Sequence, residues 1–339
     1  MTSISVAQTR YGDRLHRLLV SELSAAGCFR RAPLRSAAFG AAIVATYAGA
    51  YATLLTAPAW PLRLAAIACL SFLCVQAAFL AHEAGHGALT SNRRVASLVG
   101  QVFNTLLTGL CYSYFQHIHR AHHPHCNERA RDPDLQSEVL SMYAQSAYAK
   151  RGFGRFITRR QAVLIWILIW LQGLTFKLDS LHFLGRNPRK TRADQLVLAA
   201  HFAFWFVPPV LVLGATQAWL NYSLMTLFIG GYTGAIFLVN HIGTHVIEPE
   251  EALPHLLHEI AVTRNLGESR LADFLCGGLN NHIEHHLFPS MPTARLRLAR
   301  RITRQFCRRH GIAYREMSWL AAAREVTRHF RAMSQLVPA

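Results

Sequence analysis

Four stretches of this chain, residues 37–56, 62–81, 195–215 and 219–240, are mostly apolar and reach the ~20 residues that a membrane-crossing helix needs. Only a short turn from Pro58 to Pro61 separates the first two, and another around Thr216 separates the last two. The pattern therefore predicts two helical hairpins. Pro208 and Pro209 interrupt the third run and are expected to kink it. Two weaker stretches, 98–115 and 161–176, remain. The former carries Gln101, Asn104 and two glycines, which suits a re-entrant or interfacial segment better than a crossing. No internal repeat at a fixed period and no low-complexity tract is visible.

Charge supplies the orientation. Arginines crowd the N-terminal arm (Arg10, Arg14, Arg17, Arg30, Arg31, Arg35), the segment from Lys150 to Arg160, the segment from Arg186 to Arg192, and the tail after Arg295. The two tight turns lack such clusters, so the positive-inside rule places every basic segment in the cytoplasm. Residues 161–176 have basic flanks on both sides and are expected to lie along the cytoplasmic interface. The N-terminus shows no cleavable signal pattern, because its first long apolar run begins near residue 37 and pairs with a second. The expected fold is an all-α integral membrane protein, with four transmembrane helices in two hairpins and a helical cytoplasmic cap.

Composition agrees with this picture. Of the 339 residues, 52% are apolar and 16% charged, against about 25% charged in soluble domains, and mean hydropathy is +0.18. The net charge of +17 suits anionic lipid headgroups or acidic partners; a nucleic-acid partner is not expected, since the basic face adjoins the membrane. Only Lys150, Lys177 and Lys190 among 35 basic residues are lysines, a bias of GC-rich bacterial genomes, so a bacterial inner membrane is the expected location. Seven cysteines without a CxxC pair argue against a disulfide framework.

The 19 histidines are clustered. His82-Glu-Ala-Gly-His86 continues the second span, His119-Arg-Ala-His122-His123 follows the re-entrant stretch, and His282-Ile-Glu-His285-His286 lies near the tail. Positions i, i+3 and i+4 share a helix face, so each cluster aims two or three imidazoles at one point. Chance predicts roughly 0.06 H-x-x-H-H matches at this histidine content, and there are two. His241 and His245 leave the last span on the same side. His117 and His125 lie off the face of the second cluster. Eight or nine imidazoles exceed what one zinc takes and suit two metals, and imidazoles with open positions suit redox iron. Calcium and magnesium prefer oxygen.

These three boxes resemble the membrane fatty acid desaturase superfamily. Asn127, Asp132-Pro-Asp134-Leu135, Gly277-Gly-Leu-Asn and Leu287-Phe-Pro-Ser-Met-Pro add to the likeness, which covers roughly Ser71 to Tyr314. The resemblance implies a di-iron centre in the cytoplasmic cap, with metal ligands His82, His86, His119, His122, His123, His241, His282, His285 and His286. His245 is the alternative to His241. It further implies O2 as co-substrate and a fatty acyl substrate carried on coenzyme A, acyl carrier protein or a lipid. With no haem-binding His-Pro-Gly-Gly in this chain, electrons are expected from a separate donor such as ferredoxin or cytochrome b5. The chain then divides into a basic arm (1–36), a membrane desaturase domain (37–293) and a basic helical tail (294–339). Glu83, Glu284, Asp132, Asp134, Asn240 and Asn281 are candidates for orienting the imidazoles.

Three other readings compete. A di-iron hydroxylase or acetylenase would share the site and differ in product. An intramembrane zinc peptidase would use His82-Glu83-Ala-Gly-His86 as H-E-x-x-H, leaving six clustered histidines idle. A metal transporter or sensor would place ligands deep within the spans.

Overall fold

The structure is a computed structural model that describes residues 6–337. It is helical, and among the described residues only two isolated β-bridges, Glu128 with Ile247 and Asn265 with Glu316, are strand-like. In chain order the α-helices are α1 (Val6–Ala25), α2 (Pro33–Thr56), α3 (Trp60–Gly85), α4 (Arg93–Gly100), α5 (Tyr112–His122), α6 (Ala144–Ala149), α7 (Gly152–Leu168) and α8 (Gln172–Arg186). There follow α9 (Arg192–Leu213), α10 (Ala215–His241), α11 (His255–Val262), α12 (Arg270–Leu275), α13 (His282–Leu287), α14 (Thr293–Arg309) and α15 (Trp319–Gln335).

Five helical segments are long and apolar enough to cross a membrane: α2, α3, α9, α10 and the run Gly152–Arg186. The first four coincide with the runs expected from hydropathy. The fifth joins α7 and α8 through a 3-10 turn at Ile169–Leu171 and contains the stretch expected to lie along the interface. By length and composition it qualifies as well. α9 stays helical through Pro208 and Pro209 and ends at Gly214, whose φ of 86° is a conformation that glycine adopts without a steric penalty.

Two compact units share the chain. One comprises Arg31–His117 and Leu168–Ala235. Within it α2 and α3 form a hairpin, and Trp205 on α9 donates its indole N–H to the hydroxyl of Tyr47 on α2 (3.1 Å). Gly173 on α8 and Gly230 on α10 face each other so closely that a Cβ on Gly173 would stand 2.2 Å from the Thr226 carbonyl oxygen. Small residues are what allow membrane helices this approach. The weak stretch 98–115 does not run as one helix: α4 passes into a π-helical turn, Gln101–Leu106, and the chain breaks at Gly109, φ 73°. The break exposes carbonyls inside the protein. His201 Nδ1 lies 2.7 Å from the Leu106 oxygen, and the Lys177 ammonium donates to Thr108, so these groups are satisfied without water.

The other unit gathers the chain up to Arg30, Ile118–Ile167 and everything from Ile236. Its apolar core packs Leu15, Leu19 and Leu23 of α1 against Leu256 and Ile260 of α11, Ile283 and Leu287 of α13, and Leu296 and Phe306 of α14. Those leucines recur every fourth residue, one face of α1. The short α13 is thereby held between longer helices and buried throughout. The arm and the tail thus belong to the same compact body as the second and third histidine boxes.

Candidate metal centre

Seven of the nine histidines singled out by spacing converge in the unit that contains α13. His119 and His122 lie in the last turn of α5, and His123 opens the 3-10 turn that follows. His241 ends α10, and α13 carries His282, His285 and His286. His119 Nε2 and His123 Nε2 are 3.0 Å apart, and the His123 ring lies 4.8 Å from that of His285. His119, His123 and His285 thus form one group, with donor nitrogens within 4.8 Å of one another. A second group, His122, His241 and His286 with the Cys126 thiol, meets the same limit. His282 joins it through its Nε2, 2.7 Å from that of His241. The groups adjoin, since the His123 and His286 rings stack at 4.4 Å. His82 and His86 belong to the other unit, where their rings stand 4.7 Å apart at the end of α3.

Outer partners turn these rings inward. Asp132 Oδ1 lies 2.9 Å from His122 Nδ1, while its Oδ2 accepts the Asn127 backbone N–H at 2.7 Å. Asn127 has φ 54°, a left-handed conformation that asparagine tolerates better than most residues. Its side-chain amide donates to Thr244 Oγ1 (2.8 Å) and to the His245 carbonyl (3.1 Å), tying the second box to the end of α10. Glu259 Oε2 lies 3.2 Å from His286 Nδ1. His241 Nδ1 faces the Val262 carbonyl at 3.2 Å and the Cys126 sulfur at 3.3 Å, and His282 Nδ1 faces the Leu279 carbonyl at 3.2 Å. A ring whose Nδ1–H is directed at an outer acceptor carries its lone pair on Nε2.

That arrangement tests the fit of a metal. With both Nδ1–H groups directed at carbonyls, the Nε2 lone pairs of His241 and His282 face each other at 2.7 Å, and a shared cation relieves that repulsion. Two imidazoles binding one zinc-like ion at roughly 2.0–2.1 Å need their nitrogens within about 4.2 Å. Burial, reinforced by the rings of His123, His282, His241 and His122, holds the His286 pKa well below its ordinary value, so the ring is neutral, the form that ligates. Around His122, burial lowers the pKa, but Asp134 and Asp132 outweigh it and raise it to about 9. Burial pushes the Glu259 carboxyl up to about 8. A cation nearby would favour the ionised carboxylates and the neutral ring.

Other histidines lie elsewhere. His245 is exposed and its Nε2 pairs with Glu251 at 2.9 Å, pointing away from the cluster that His241 joins. His117 stacks on Phe183 at 5.3 Å, and His125 Nδ1 stands 3.2 Å from Glu128. Of the outer candidates, Asp132 and Asp134 approach His122, the latter at 3.3 Å, and the Asn240 amide lies 3.3 Å from His282 Nδ1. Glu284 turns the other way, accepting from Asn265 (2.8 Å) and Tyr314 (2.7 Å), because its place between box histidines puts it on the opposite helix face. Asn281 donates to Asp273 and Gly278 instead of a ring. Glu83 is half-buried in the other unit. Sequence spacing missed Glu259 and Cys126. Neither belongs to a histidine pattern, although Cys126 stands only three residues after His123.

A model of the fatty acid desaturase family matches residues 56–318 of this chain. The Delta(8)-fatty-acid desaturase 2 of Arabidopsis thaliana is 28% identical over 271 residues, 75% of this chain and 60% of that protein. The Delta(8)-fatty-acid desaturase of Borago officinalis is 26% identical over 324 residues, 91% of this chain and 72% of that protein. The Delta 8-(E)-sphingolipid desaturase of Kluyveromyces lactis is 25% identical over 300 residues, 79% of this chain and 50% of that protein. The chain therefore spans about half to three-quarters of the length of these relatives.

Proposed function

Because this chain belongs to the fatty acid desaturase family, we propose that it is an O2-dependent membrane enzyme that introduces a double bond into a fatty acyl chain at a histidine-held di-iron centre. The observation that carries this reading is the inward convergence of two adjoining groups of buried imidazoles, with Nε2 atoms 2.7 and 3.0 Å apart. His119, His123 and His285 are the ligands on one side, and His122, His241, His282 and His286 those on the other. His82 and His86 complete the set by the box pattern.

Redox iron supplies the capacity to reduce O2 and oxidise an unactivated methylene, which no side chain has. The chain's own residues do the rest. Asp132 and Glu259 orient His122 and His286 from outside. Burial of α13 keeps bulk water from the cluster. The apolar helices accept the acyl chain, and its depth among them selects the carbon attacked. Relatives named for Delta(8) fatty-acid and sphingolipid desaturation support an acyl lipid as the substrate class. The basic arm and tail then face the cytoplasm, with electrons arriving from a separate carrier.

Expression in a lipid-producing host, followed by mass spectrometry of acyl chains, tests the reading. Acyl chains short of two hydrogens, absent with His285→Ala, are expected. Chains that gain an oxygen instead would make the chain a hydroxylase, and unaltered lipids beside peptide cleavage would favour the H-E-x-x-H protease.

A further inference from the structure

The positive charge of the unit that contains α13 is not spread evenly. Along α14 it is largely cancelled: Arg297 pairs with Asp273, Arg300 with Glu316, Arg301 and Arg304 with Glu268, and Arg309 with Glu22. The first turns of α7 differ. Residues 139–178 contain no Asp or Glu at all, yet include Lys150, Arg151, Arg155, Arg159, Arg160 and Lys177. Among the described residues no carboxylate forms an ion pair with Arg155 or Arg160. Gly152, Arg155, Phe156, Arg159 and Arg160 line an open cavity of about 300 Å³, with the Arg160 guanidinium 4.1 Å above the Phe156 ring.

One helix face continues from this cavity as a bare apolar strip. Phe153 (76% exposed), Phe156, Val163 (68%) and Ile167 (61%) are all exposed, and with Arg160 they follow the i+3, i+4 spacing of a single face. Phe153 and Phe156 stack on each other at 6.1 Å. The strip starts where a segment apolar enough for the membrane begins. A cationic pocket at the mouth of an exposed hydrocarbon track matches an amphiphile with an anionic head, not a soluble anion.

The geometry points to a binding site for an anionic glycerophospholipid at the start of α7. Its phosphate is held by Arg155, Arg159 and Arg160, and one of its acyl chains lies along Val163 and Ile167. Arginine suits this task because its planar fork presents paired N–H donors to phosphate oxygens. The lipid supplies the counter-charge that the surrounding sequence lacks. The site is independent of the catalytic reading, since none of its residues approaches the imidazole cluster in the chain or serves as an outer partner to it.

Native mass spectrometry of the full chain, in detergent with mixed phosphatidylglycerol and phosphatidylcholine, tests this. The chain should retain phosphatidylglycerol in preference to phosphatidylcholine. Each charge removed near a lipid surface weakens attraction roughly five-fold, so Arg155→Gln and Arg160→Gln taken singly should each reduce phosphatidylglycerol adducts by about that factor. The paired variant Val163→Ser with Ile167→Ser should reduce adducts while leaving all the arginines in place. A thermal unfolding midpoint equal to that of the parent chain establishes that each variant is folded. Equal retention of the two lipids, or adducts unchanged by the arginine substitutions, would overturn the site. So would displacement of phosphatidylglycerol by inorganic phosphate or coenzyme A alone, which would make the pocket a soluble-anion site.

Discussion

Asp132 and Glu259 have the same task at different rings, one beside His122 Nδ1 and the other beside His286 Nδ1. Removing such an outer carboxylate in metal enzymes costs about 10- to 100-fold in metal affinity. Asp132→Asn and Glu259→Gln are therefore each expected to lower iron retention against a competing chelator by about that factor. His245→Ala should leave retention unchanged, since that ring is exposed and paired with Glu251. Loss of iron with His245→Ala and none with Glu259→Gln would reverse the assignment. At this scale the clustering of the imidazoles was legible because their spacing is local: i, i+3 and i+4 within one turn determine which of them share a face. Glu259 was not legible, because α11 reaches α13 only through tertiary packing. That His241, and not His245, joins the imidazole cluster also needed structure, since the three residues between them lie beyond the end of α10 and turn at Gly243, φ 82°.

Helices and their contacts carry a different kind of information. The four strong apolar runs became α2, α3, α9 and α10 nearly as hydropathy drew them, because a long apolar segment in lipid has no alternative to a helix. The run Gly152–Arg186 was harder to read. Arginines flank and enter it, and its most apolar portion is split by a 3-10 turn, so sequence suggested the interface while length and composition also permit a crossing. The break at Gly109 was legible only as a region poor in span character. What fills it, His201 and Lys177 from distant helices, was not. The α8–α10 contact gives a prediction at this scale. A Cβ on Gly230 would fall 2.4 Å from the Trp170 carbonyl oxygen, so Gly173→Val or Gly230→Val must push two backbones apart. Overpacking of this kind costs about 1–3 kcal/mol, and each variant should show a lower thermal midpoint in detergent. Gly49→Val, where nothing lies within 4 Å, serves as the control and should leave the midpoint in place.

For the molecule as a whole, hydropathy and charge gave the class, and the histidine boxes gave the family, which the match over residues 56–318 bears out. The division into compact bodies was not readable, because it follows neither end of the chain: the arm up to Arg30 and the tail share a unit with the middle and last histidine boxes. Leu15, Leu19 and Leu23 explain why, since the arm's apolar face closes the core behind α13. The proposed di-iron centre assigns one metal ion to each of the two adjoining groups of ring nitrogens, and the metal content of the purified chain tests that directly. Inductively coupled plasma mass spectrometry of protein produced with ample iron should find about two irons per chain, and markedly fewer after His122→Ala or His285→Ala. A single zinc without iron, or an iron content indifferent to both substitutions, would contradict a di-iron centre built on these histidines.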